Sequence, residues 1–120
     1  GHALGGGLVL ALCADYRLVA DGEHRFGLTE AKAGVPFPAG PVEIIRSEIP
    51  NGLLRRLTLS SRIVDADLLI QHGVFDESLP CDHLPEQAQM RAIALFEQPA
   101  FLEVKAQIRG PLVERLHAIT

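Results

Sequence analysis

Tryptophan is missing from this sequence, tyrosine and methionine occur once each, and cysteine occurs only at Cys13 and Cys81. Two cysteines in a domain of 120 residues do not make a disulfide scaffold, so a reducing, cytoplasmic setting is expected. Cys13 sits in an apolar run and reads as a buried thiol. Cys81-x-His83 offers half of a metal site, but no second pair lies at useful spacing, so no metal is expected. There is no basic excess: 11 Lys and Arg against 15 Asp and Glu give a formal net charge of −4. With basic residues scattered and only five phenylalanines and one tyrosine available for stacking, nucleic acid is not an expected partner. No apolar run approaches the roughly 20 residues of a membrane span, so no membrane partner is expected either. No signal-peptide pattern, internal repeat or low-complexity linker is visible.

What is present is an ordinary globular composition, 48% hydrophobic and 22% charged, sized for one domain. Its focus is Gly5-Gly6-Gly7, followed at once by Leu8-Val9-Leu10-Ala11-Leu12. Three glycines strip one face of the backbone of side chains. A helix that begins there offers unpaired N–H groups and the positive end of its dipole. Two readings stand at this point. The glycines can serve close packing of the helix on a neighbouring strand. They can also cradle an anion, or a carbonyl oxygen that becomes one during reaction.

The helix is expected over 5–14. Residues 15–20 alternate as a strand, with Tyr16, Leu18 and Ala20 on one face and Arg17 and Val19 on the other. Asp15 opposes the helix dipole unless it is paired, and Arg17 is the nearby candidate. Residues 21–23 form a turn, and 24–27 a second short strand. Residues 34–41 hold two glycines and three prolines, an irregular loop with few conformations that can hold a neighbouring side chain in place. Glu30 is that side chain, or else a solvated glutamate or a helix-start partner. Helices are expected over 41–49, closed by Pro50, and over 51–59, where Leu53, Leu54 and Leu57 make an apolar stripe with Arg55 and Arg56 outside. Asp65 caps a short helix through His72, ended by Gly73. Val74 and Phe75 form a short strand or edge. A helix from 82–85 to Phe96 turns Ala88, Ala92, Leu95 and Phe96 inward. Another spans 101–108, and Gly110-Pro111 interrupts it before 112–119.

Together these pieces are more specific than any one of them. Gly1-His2-Ala3-Leu4-Gly5-Gly6-Gly7, then Asp15-x-Arg17-x-x-Ala20, then Phe26-Gly27-x-x-Glu30-x-x-x-Gly34-x-Pro36 resembles the crotonase family, the enoyl-CoA hydratases and isomerases. Leu59-Ser60-Ser61-Arg62-Ile63 with Leu68, and Gly73-Val74-Phe75-Asp76, are similar to a later helix and turn of that family, with Phe75 in place of the usual valine. The resemblance covers most of residues 1–105. It implies an α/β fold: a crotonase-like ββα spiral fragment over residues 1–80, followed by a mainly helical, oligomer-forming region over 81–120. It further implies an acyl-CoA thioester ligand, with coenzyme A entering as part of the substrate and no separate cofactor, and assembly as a homotrimer or hexamer. It also implies that the chain begins about midway through the family's domain. The front half would then hold most of the CoA-binding surface and a second oxyanion-hole N–H. An expression-tag remnant is another source of Gly1-His2.

By position in the resemblance, the Gly6 N–H is the oxyanion donor this chain would supply, and Glu30 is the catalytic base. Gly5, Gly7, Leu28 and Pro36 would bind substrate. Removing a proton from a thioester carbon makes an enolate whose charge collects on the thioester oxygen. Fixed N–H donors stabilise that charge, and losing one typically costs about 10²–10³ in rate. Hydratases of the family carry a further glutamate two residues after the glycine triplet, where this chain has Val9. The acid that dienoyl isomerases carry in the following loop falls near Pro38. A single carboxylate suits moving a proton between C2 and C4 of an enoyl chain, so double-bond isomerisation is favoured. Hydration, and acyl-CoA binding without catalysis, are the alternatives. His24 either lines the pocket or lies on the surface. Lys105 either meets a CoA phosphate of a neighbouring subunit or is solvated.

Overall fold

The structure is a computed structural model and describes residues 1–119. Its elements run β1 (Ala3–Leu4), α1 (Gly6–Leu12), β2 (Leu18–Ala20), β3 (Phe26–Gly27), α2 (Glu30–Ala33), α3 (Ala39–Glu48), α4 (Asn51–Thr58), α5 (Ala66–Gln71) and β4 (Glu77–Leu79). A single 3₁₀ turn (Cys81–His83) then leads into α6 (Leu84–Phe96) and α7 (Phe101–Ile119). The chain therefore mixes α and β, with short parallel strand pairs set among helices.

Two small sheets frame α1. β1 pairs in parallel with β3, Ala3 opposite Phe26 and Leu4 opposite Gly27. β2 pairs in parallel with β4, Leu18 opposite Glu77 and Ala20 opposite Leu79. Val64 adds an antiparallel bridge to Phe26, with N–H···O bonds of 2.9 Å in both directions. Because β1 and β2 belong to different sheets, α1 is held at its start by one and at its end by the other.

The core forms where helical spacing brings apolar side chains onto one face. Leu8 and Leu12 of α1, Ile45 of α3 with Ile49 just past its end, and Leu53 and Leu57 of α4 are each four residues apart, and all are buried. Leu28, Leu69 and Val74 complete the wholly buried set. The rings of Phe26 and Phe75 meet edge to face at 4.9 Å, an arrangement aromatic quadrupoles favour. Asp65 caps α5 by accepting the Leu68 N–H at 3.0 Å.

Several local expectations are corrected by longer-range packing. Val74 and Phe75 are buried but not a strand; the strand is β4, three residues on, where it can pair with β2. Glu30, for which a helix start was one of the readings, begins the one-turn helix α2 ahead of the 34–41 loop. Gly110-Pro111 does not divide the last helix: α7 is continuous, with Pro111 inside it. An interior proline costs about 3 kcal/mol in hydrogen bonding and clash. Contacts with α3 offset this: Leu112 is buried, and Arg115 reaches Glu43 at 2.9 Å. On α6 the expected inward face is only partly realised. Leu95 is half-buried, whereas Ala88, Ala92 and Phe96 are exposed. Cys13 is also exposed, at the end of α1, and its thiol lies 3.5 Å from the Val9 carbonyl.

Candidate active site

The site begins where β1 turns into α1. Gly5 has φ 52° and ψ −124°, a backbone conformation that L side chains rarely adopt. Its N–H donates to the Gly27 carbonyl at 2.9 Å, which ties the turn to β3. Its carbonyl accepts the N–H groups of both Leu8 and Val9 at 3.1 Å. The N–H groups of Gly6 and Gly7 have no acceptor among the described residues. Both glycines are exposed, and a Cβ built on Gly6 would meet nothing within 4 Å. Two amides without an acceptor among the described residues thus sit at the helix start, with open space beside Gly6 and Ala3 Cβ 3.9 Å from a Cβ built on Gly7.

Glu30 comes to the same place from β3. Phe26 and Gly27 are locked into the sheet, and Leu28 is wholly buried, so little freedom remains before the carboxylate two residues later. A Cβ added to Gly5 would lie 3.6 Å from Oε2 of Glu30. The carboxylate therefore rests over the glycine turn. It is half-buried and makes no hydrogen bond or ion pair among the described residues. The left-handed Gly34 (φ 80°) ends α2 behind it.

The far end of α1 is held by charge. The Arg17 guanidinium donates to the carbonyls of Leu12 (2.8 Å), Ala14 (3.1 Å) and Val74 (3.0 Å) and pairs with Glu48. Arg109 of α7 also reaches the Leu12 carbonyl, at 3.2 Å, and Glu48, at 3.3 Å. Cations at a helix C-terminus complement both the orphan carbonyls and the dipole. The expected Asp15–Arg17 pair is replaced: Asp15 binds Lys105 at 2.6 Å and Arg109 at 2.7 Å. Burial raises the Asp15 pKa, but the hydrogen bonds from Lys105 and Arg109 outweigh it and hold the carboxyl below its ordinary value. Lys105, whose side chain is nearly half exposed, joins this cluster through Asp15.

Other expected site residues fall in different places. Gly7 is exposed beside Gly6, and Pro36 is exposed in the loop after α2. Leu28 has no exposed surface and packs in the core. Val9 is also a core residue, 7% exposed. His24 stands edge-on to His2 at 5.7 Å, in a polar cleft with Glu23, Asp65 and Asp67 that Glu30 does not line. Cys81 and His83 are exposed on the 3₁₀ turn, and no group of three potential metal ligands occurs among the described residues. A second cleft of about 600 Å³ opens between β2 and α6, lined by Leu18, Ala20, Phe75, Ala92 and Phe96, and it too excludes Glu30. At its edge, Arg91 and Tyr16 both donate to Glu77, which lowers the Glu77 pKa and raises that of Tyr16.

Sequence spacing did not reveal three contributors. Arg109 and Glu48 reach the end of α1 from distant helices. Ser61 accepts the Lys32 N–H at 3.2 Å from 29 residues away.

Similarity to known proteins identifies the family and the fold. The sequence profile described as enoyl-CoA hydratase/isomerase matches residues 1–116. A protein of Mycobacterium avium named "Probable enoyl-CoA hydratase" is 33% identical over 98% of this chain and 48% of its own length. A carnitinyl-CoA dehydratase of Citrobacter koseri is 30% identical over 74% of this chain and 34% of its own. The crystal structure of an enoyl-CoA hydratase/isomerase family protein from Pseudomonas syringae superposes with a TM-score of 0.85 at 25% identity, over 98% of this chain and 52% of that one. The chain spans under half the length of these curated relatives.

Proposed function

Because the chain belongs to the enoyl-CoA hydratase/isomerase family and has its crotonase fold, we propose that it carries part of a site acting on acyl-CoA thioesters. In this reading the Gly6 N–H donates to the thioester oxygen as an enolate forms. Glu30 takes the proton and returns it elsewhere on the acyl chain. A second donor and most of the CoA-binding surface come from outside these residues. Gly5 and Gly7 let the thioester approach the backbone, and Pro36 borders the substrate. Coenzyme A arrives with the substrate, and no separate cofactor is required.

The observation that carries this reading is the placement of an unpartnered Glu30 carboxylate over the Gly5 turn, one residue from the unpaired Gly6 amide. A base without a competing hydrogen bond is free to accept a substrate proton. Donors already in position stabilise developing charge without reorganising.

Isomerisation of the enoyl double bond is the favoured reaction. Val9 supports it, because an apolar core residue stands where hydratases of the family carry their additional glutamate. One carboxylate can move a proton between C2 and C4, whereas hydration also requires an oriented water and a second proton relay. Exposed apolar side chains on the last two helices, including Phe96, Leu102 and Ile108, support assembly as a homotrimer or hexamer. Two free thiols fit a cytoplasmic location.

The test is to supply 2-enoyl-CoA and 3-enoyl-CoA separately and follow hydration and double-bond migration. Migration without hydration is expected; hydration as the faster reaction reverses the assignment. Glu30→Gln should retain acyl-CoA binding and lose about 10²–10⁴ in turnover. Undiminished turnover removes Glu30 from the mechanism. A wild-type protein that binds acyl-CoA without exchanging its α-proton for solvent deuterium is a binder and not a catalyst.

A further inference from the structure

We propose that Ser61 is a positioning residue for Glu30: its hydroxyl, brought in from the loop after α4, caps the one-turn helix that carries the carboxylate. The inference rests on Glu30 being the base.

The reasoning starts from the length of α2. Four residues are far too few for a helix to persist on its own, so both ends of α2 must be held by something else. The C-terminal end is closed locally. Gly34, in the left-handed region, donates to the Ala31 carbonyl at 3.2 Å, and Val35 donates to the Glu30 carbonyl at 3.0 Å. That pair of bonds is the common glycine-terminated helix stop, and Glu30 supplies its outermost acceptor.

The N-terminal end has no such local device. Thr29 is in the capping position, yet its hydroxyl makes no cap bond. The donor a capping side chain would ordinarily take is the Lys32 N–H, the third of the helix. Ser61 Oγ accepts it instead, at 3.2 Å. Ser61 has φ 50° and is the sole non-glycine residue with positive φ among the described residues. A serine there is disfavoured relative to glycine, which would relax the backbone but supply no acceptor. The hydroxyl is what a glycine could not provide. Three residues on, Val64 is hydrogen-bonded both ways to Phe26 of β3. The cap and the strand that leads to Glu30 are thus mounted on one support.

The experiment compares Ser61→Gly and Ser61→Asn with wild type in the full protein. Glycine removes the acceptor and the strain together. Asparagine keeps a side-chain acceptor and tolerates the left-handed region. Three readouts are needed: the thermal midpoint, hydrogen–deuterium exchange at the Lys32 amide, and kcat and KM for α-proton exchange of 3-enoyl-CoA. Ser61→Gly should leave the thermal midpoint equal or higher, speed Lys32 exchange about fivefold, and lower kcat about three- to tenfold at unchanged KM. Ser61→Asn should recover both losses. Unchanged Lys32 protection and kcat in Ser61→Gly overturn the proposal, as does a kcat loss that asparagine does not restore. If the wild-type protein exchanges no α-proton, the reading of Glu30 as base fails. The Lys32 amide and the carboxyl carbon resonance of Glu30 then decide the positioning by themselves, and no change in either in Ser61→Gly overturns it.

Discussion

Replacing Arg17 by alanine tests whether the charged end of α1 organises the fold or merely decorates it. The guanidinium donates to three carbonyls and pairs with Glu48, with its side chain only 11% exposed. Truncation does not orphan all four partners equally. Leu12 and Glu48 each retain Arg109, at 3.2 Å and 3.3 Å. The Ala14 and Val74 carbonyls lose their side-chain donor. Ala14 is exposed and can recruit water, whereas Val74 is buried. An unsatisfied buried acceptor costs about 1–3 kcal/mol, and breaking a buried ion pair about 3–5 kcal/mol. The surviving Arg109 contacts and the access of water at Ala14 place the expected loss near the lower end, about 3 kcal/mol.

Urea unfolding followed by circular dichroism reads this directly. With a slope of about 1–3 kcal/mol per molar, the midpoint should fall by about 1–3 M. Arg17→Lys should recover less than half, since one ammonium cannot span three diverging carbonyls. Arg115→Ala is the internal control. Its partner Glu43 lies at a comparable 2.9 Å, but the Arg115 side chain is 48% exposed, so the expected cost is about 0.2–1 kcal/mol. If Arg17→Ala costs no more than Arg115→Ala, burial is not what gives the Arg17 cluster its weight, and the account of α1 anchoring is wrong.

Three further outcomes follow from single residues. Gly5→Ala should destabilise by about 1–3 kcal/mol through backbone strain, because its new methyl would find ordinary contact with Glu30 at 3.6 Å and no clash; a thermal midpoint equal to wild type refutes this. Asp15 has a folded pKa below its ordinary 3.8, so its contribution to stability is present above that value and is lost as pH falls through the lower, folded pKa; Asp15→Asn should flatten the acid limb of the stability profile below about pH 4, and an unchanged limb counts against the Lys105–Asp15–Arg109 cluster. Pro111→Ala should stabilise α7 by about 2 kcal/mol, the interior-proline penalty less the entropy the unfolded chain regains, and a lower unfolding midpoint would show that the proline shape is required.

What could be read from the residues alone divides along a physical line. Features set by the backbone of a few neighbours were visible. The glycine turn into α1, the Asp65 cap and the leucine stripe of α4 each depend on residues within one or two turns of one another. So was the order Phe26-Gly27-x-x-Glu30, whose likeness to a family pattern is what made Glu30 the candidate base. Features set by side chains meeting across the chain were not. Asp15 looked to Arg17, two residues away, but its partners are Lys105 and Arg109; Arg17 instead turned beneath α1 toward Glu48. The continuity of α7 through Pro111 depends on α3, which local helix rules do not see.

The same division runs through the candidate site itself. Gly34 closes one end of α2 by a requirement written into its own φ, so it could be read from the loop composition as something that holds Glu30. Ser61 closes the other end across 29 residues, and nothing near Glu30 in the sequence points to it. Its only local mark is a left-handed serine, a conformation with no outward sign in the amino-acid string. A site of this kind is therefore half-legible by construction. The candidate chemistry-bearing groups were named by a resemblance carried on short motifs, while the groups that hold them still are chosen by the fold. Substitutions at Ser61, Arg17 and Arg109 are consequently the ones for which local sequence rules would expect little effect and this geometry expects a large one.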